Sequence, residues 1–61
     1  MKWKIRLENG SMFVFDTEDT TIYDDHVAMK NAGTPYEYGK QTDADGVETP
    51  LESPIIEITE I

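Results

Sequence analysis

Residues 2–8 alternate without a break, with Lys2, Lys4, Arg6 and Glu8 on one side and Trp3, Ile5 and Leu7 on the other. A period of two marks a strand with one face in a core and the other in solvent. Asn9-Gly10 follows at once, the pair that best suits a tight hairpin turn, and residues 11–16 supply the returning strand. A two-residue loop would pair Leu7 with Met12, Arg6 with Phe13, Ile5 with Val14 and Lys4 with Phe15. Met12 and Val14 then join the Trp3 face, and Phe13 and Phe15 lie on the other face beside the cations. A strand apolar on both faces calls for cover on both, from a helix or from another molecule.

Residues 17–33 read as a short helix. Thr17, Asp19, Thr20 and Thr21 offer N-caps, and acids are expected in the first turns, where the helix dipole favours them. Ile22, Tyr23, His26, Val27 and Met29 form a stripe at helical spacing, and Asn31-Ala32-Gly33 supplies the stop. Residues 35–38 alternate as a short strand, with Pro35 placing its start at an edge. Residues 41–46 are a polar loop with Asp45-Gly46 at its tip. Residues 47–51 read as a brief strand broken by Pro50, Ser53-Pro54 as a turn, and residues 54–61 as a closing strand. In that last strand Ile56 and Ile58 share a face with Glu60.

The pattern gives an α+β fold, mostly β. It comprises an N-terminal hairpin, one short helix and then two or three strands (ββαβββ), in a small curled sheet or a partly open barrel. The first strand is expected beside the closing strand, because Glu57 and Glu60 there can face Lys2, Lys4 and Arg6. Trp3, Ile5, Leu7, Val14, Ile56 and Ile58 are the expected core, with Val27 or Met29 packed on them.

Residues 1–61 make one domain, and a chain this short buries only about 60% of the surface its unfolded form exposes. It has no cysteine, hence no disulfide and no thiolate metal site. The longest apolar run is Met12-Phe13-Val14-Phe15, far short of the roughly 20 residues that span a bilayer. The first residues interleave cations with apolar residues rather than preceding an apolar stretch, unlike a secretory signal. A cytoplasmic location is expected.

Thirteen acidic and five basic side chains give a formal net charge of −8. Lys2, Lys4 and Arg6 are three of the five cations, so from Leu7 onward thirteen acids face two bases, a net of −11. Such a field repels nucleic acid and anionic lipid and attracts basic protein surfaces.

Residues suited to catalysis are sparse. His26 is the one histidine, and no serine or cysteine is placed to pair with it. Asp24, Asp25 and His26 are consecutive, and on a helix three consecutive residues point in three directions rather than at one ion. Residues 41–52 partly follow a calcium-loop pattern, with Asp43, Asp45, Gly46 and Glu52 at its third, fifth, sixth and twelfth positions. Gln41 stands where the first acid belongs and Pro50 interrupts the exit, so a solvated hairpin loop is the expected role. Tyr36, Tyr38 and Lys40 could stack bases, but the acidic field favours packing. The reading is of a non-enzymatic chain with no cofactor.

A hairpin with Asn9-Gly10, a short acidic helix ending in Gly33, an aromatic strand at Tyr36 and Tyr38, and the closing run Pro54-Ile55-Ile56-Glu57-Ile58 together resemble the tiny acidic proteins of bacteriophages and their hosts. The resemblance carries no functional residues over and only points toward an inhibitor, whereas the charge supports an inhibitor or regulator that occupies a basic, nucleic-acid-binding surface of a partner protein by acidic mimicry. The candidate contact residues are Asp16, Glu18, Asp19, Asp24 and Asp25, with Phe13 and Phe15 as apolar anchors. The alternative is a small assembly protein that forms a β-mediated homo-oligomer.

Overall fold

The computed structural model describes residues 1–61 as β1 (Lys2–Leu7), β2 (Met12–Asp16), α1 (Thr20–Ala32), β3 (Pro35–Thr42) and β4 (Glu48–Glu60). The strands form one antiparallel sheet in the order β2-β1-β4-β3. The sheet curls into a half-barrel, so rings from its two outermost strands meet inside it. Phe13 of β2 lies 5.2 Å from Tyr38 of β3 between ring centroids and 5.8 Å from Tyr36.

The β1–β2 hairpin forms with a register one residue away from the expected one. Ile5 faces Phe13, Lys4 faces Val14 and Trp3 faces Phe15. The cause is the turn. A type I′ turn needs positive φ at both central residues, and no residue other than glycine has positive φ here. Instead, Glu8, Asn9 and Gly10 form a three-residue loop. The Gly10 N–H donates to the Leu7 carbonyl at 3.0 Å, and the Leu7 N–H donates to the Ser11 carbonyl at 2.8 Å. Gly10 alone takes the left-handed conformation, with φ of 90°. Asn9 serves as a tether: its Oδ1 accepts from the Ser11 N–H, its N–H donates to Ser53 Oγ and its Nδ2 donates to Tyr38 Oη.

One residue of slip turns every side chain of β2 over. Phe13 and Phe15 therefore point into the half-barrel, and Met12 and Val14 share the outer face with Lys4 and Arg6. Burying two phenylalanines removes more apolar surface from water than burying a methionine and a valine, so packing favours this register.

Trp3, Ile5 and Leu7 are fully buried, and Ile55 completes the central cluster. Val14 and Ile56, expected in the core, are 57% and 47% exposed. Ile56 is displaced by a β-bulge. Arg6 faces Glu57 while Leu7 faces Ile55, which leaves Ile56 as an extra residue and hands its inward place to Ile55. Beyond the bulge Ile58, also expected in the core, sits opposite Ile5 and is half-buried against the core. The first and last strands are neighbours, and Arg6 Nη2 meets Glu57 Oε2 at 2.9 Å.

The helix is shorter than the 17–33 reading. Asp19 is its N-cap, accepting from the Thr21 N–H, so α1 starts at Thr20 and its first turn holds no acid. Gly33 ends it at φ of 70°, with the Gly33 N–H on the Lys30 carbonyl and the Thr34 N–H on the Met29 carbonyl, a Schellman closure. Tyr23, His26 and Met29 pack on the core, Val27 is half-buried, and Ile22 at the start of the stripe is exposed.

Pro50 and Pro54 do not break the chain. β4 runs 13 residues through both, where a strand, a turn and a second strand were expected. Its first half pairs only with β3 and its second half pairs with β1, so each proline sits where a neighbouring ladder is missing or ending. The long strand gives the molecule extents of 41 × 21 × 18 Å and a radius of gyration of 13.0 Å. A compact chain of this length would measure about 10.5 Å. The difference is the far end of the β3–β4 ribbon, where residues 40–50 are all exposed.

Candidate functional site

The five candidate acids fall between the end of β2 and the second turn of α1. Asp16 closes β2 opposite Lys2, Glu18 lies in the connection, Asp19 caps α1, and Asp24 and Asp25 occupy its second turn. All five are exposed and none makes an ion pair. Because the helix begins at Thr20, only Asp24 and Asp25 are helical, and as adjacent residues they diverge by about 100° around the axis. Among Glu18, Asp19, Asp24 and Asp25 no two are three or four residues apart, so no i,i+3 or i,i+4 row of carboxylates forms. Asp19 is also structurally engaged. Hydrogen bonds from the Thr21 hydroxyl and then from the Thr21 amide hold its carboxyl below the ordinary 3.8.

Phe13 and Phe15 are not exposed anchors. Both are half-buried inside the half-barrel. Phe15 stacks on Trp3 at 5.4 Å with an interplanar angle of 16°, and its ring centroid lies 4.6 Å from that of His26. Tyr36 and Tyr38 join the same aromatic interior rather than forming a platform, and Lys40 beyond them points to Glu48.

His26 is the polar centre of this interior. It is 4% exposed and is ringed by Trp3, Phe15 and Tyr36. Trp3 Nε1–H donates to His26 Nδ1 at 3.0 Å. An accepting Nδ1 carries no proton, so the neutral ring holds its proton on Nε2. Burial pushes the imidazole below its ordinary 6.5, against a weaker upward pull from Asp25. This bond ties β1 to α1 and satisfies a polar group on each. Periodicity placed His26 at the edge of the apolar stripe. An inward tryptophan with a ring N–H to satisfy was the signal that could have identified its partner.

The loop with calcium-like spacing is the turn of the β3–β4 ribbon. Asp43 Oδ1 accepts from the Asp45 and Val47 amides. Glu52 lies down the ladder opposite Glu37, about 13 Å from where the ribbon turns. The carboxylates of this segment do not converge. No helix is long and apolar enough to cross a membrane.

No family model, curated protein or solved structure matches the chain.

Proposed function

We propose that the chain is a non-enzymatic protein-binding module that inhibits or regulates a partner by occupying a basic, nucleic-acid-binding surface on it. One observation carries this reading. Of the thirteen acidic side chains, only Glu57 and Glu48 pair with a cation, which leaves eleven carboxylates to project an uncompensated field. Asp16, Glu18, Asp19, Asp24 and Asp25, all exposed, fall between the end of β2 and the second turn of α1. Carboxylates there would stand where a basic groove receives phosphates. Affinity of this kind comes with fast association and falls as salt rises.

The immobilised chain should capture a basic protein from a bacterial lysate at low salt and release it at high salt. Glu18→Lys with Asp24→Lys should weaken capture, since neither residue caps the helix or makes a hydrogen bond. Reversing Asp19 is unsuitable because it would strip the cap. Glu37→Lys, on the ribbon, should weaken capture much less. Equal loss from all three positions would mean that only the overall charge matters, and no loss from the double variant would move the contact away from the junction.

A further inference from the structure

We propose that β2 pairs edge to edge with β2 of a second copy across a two-fold axis at Val14, joining two four-stranded sheets into one. This inference is independent of the acidic reading above, and the salt dependence it predicts has the opposite sign.

β2 is a terminal strand of the sheet. The Leu7 N–H bonds the Ser11 carbonyl, and Met1 and Thr17 exchange two backbone bonds, at 2.9 and 3.0 Å. Antiparallel ladders alternate, so Ser11, Phe13, Phe15 and Thr17 turn their polar groups toward β1. The N–H and C=O groups of Met12, Val14 and Asp16 consequently point outward with no strand to receive them.

Other open edges of this sheet are protected. β3 begins at Pro35, bulges at Tyr38 and carries Glu37 and Lys40. The first half of β4, which lacks a neighbour on one side, contains Pro50, and the Pro54 carbonyl is taken by the Glu8 N–H. Proline, bulges and charge are the usual means of keeping an edge from pairing. From Met12 to Phe15, β2 has none of them. Its outer side chains, Met12 and Val14, are also 58% and 57% exposed.

Charge identifies a second copy as the occupant. Within residues 1–17 the side chains Lys2, Lys4 and Arg6 outweigh Glu8 and Asp16, a net of +1, whereas the remaining residues hold eleven acids and two bases, a net of −9. A basic foreign partner would be drawn to that acidic remainder. The hairpin is where two chains of net charge −8 can approach without acid meeting acid.

Register supports the same conclusion. A two-fold axis at Val14 sets Val14 against Val14 of the second copy and Met12 against its Asp16. All of these residues have outward backbone groups, giving about six new hydrogen bonds. Phe13 then faces Phe15 of the second copy on the inner side, and no carboxylate opposes another.

Sedimentation equilibrium and amide exchange on the full chain test this. The mass should rise with concentration from 7.0 kDa to twice that value. The Met12, Val14 and Asp16 amides should become protected over the same range. Added salt should strengthen the dimer by screening the repulsion between like-charged bodies. Val14→Lys should leave the far-ultraviolet circular dichroism and Trp3 fluorescence unchanged while giving a monomer at every concentration. Met12→Lys should do the same, and serves if the first variant folds poorly. A wild-type chain that stays monomeric into the millimolar range overturns the proposal. So does a dimer that survives both substitutions, or a mass that grows past two copies, because the two-fold pairing uses up both edges.

Discussion

Trp3 and His26 are joined by a hydrogen bond that exists only while Nδ1 of the imidazole is unprotonated. Protonation would place two donors face to face within an aromatic enclosure. The imidazole pKa is lowered by folding, so between 6.5 and its folded value the unfolded chain binds more protons than the native one. Stability is therefore full above pH 6.5 and declines as pH falls through that window, which urea titrations at stepped pH will show. Trp3→Phe removes the donor, and the His26 ring proton followed by NMR should then titrate closer to the ordinary value. Asp19 acts through the same linkage at lower pH. Ionisation strengthens its cap, so that added contribution is present above 3.8 and is lost as pH falls through the lowered folded value. Asp19→Ala should lower the melting midpoint, and Asp19→Asn should retain much of what is lost, because the amide oxygen still accepts.

At the scale of elements, the hairpin turn decides which residues lie inside. Gly10→Ala places a Cβ at φ of 90°, in open space but in a strained conformation, so the expected cost is about 1–2 kcal/mol with no change in fold. Ile5→Ala, at a fully buried position, should cost about 2–5 kcal/mol and could consume much of the margin of so small a domain. Urea unfolding of the two variants separates a local strain from a core cavity. The alternation of residues 2–8, the helix stop at Gly33 and the pairing of the first strand with the last were all legible in the sequence. The inward turn of Phe13 and Phe15 was not, because Asn-Gly suits both a two-residue and a three-residue loop, and Asn9 is held by Ser53 and Tyr38, far along the chain. Nor was Ile55, whose burial depends on a bulge that strict alternation cannot represent. Pro50 and Pro54 read as breaks, since no local pattern reveals that each half of β4 pairs on a different side. The candidate acids were legible as exposed, and so was the lack of a helical row among Glu18, Asp19, Asp24 and Asp25, none of which lies three or four residues from another.

The whole molecule is a small aromatic half-barrel with a ribbon projecting from it. Replacing residues 41–49 with Asn-Gly should close β3 onto β4 early, leave Trp3 fluorescence unchanged and shift the melting midpoint little, since every residue removed is exposed. Ile5 pairs with Phe13 on one side and with Ile58 on the other, a partner nearby in the chain and one almost at its far end. Closing so distant a pair forfeits chain entropy before any contact compensates for it, which places folding toward the slower, millisecond-to-second regime of strand-rich domains. A chain still emerging from a ribosome would hold β1, β2 and α1 with the second edge of β1 open and Ile5 uncovered on that side. Native packing would arrive in a single late step, when β4 is free to dock between β1 and β3.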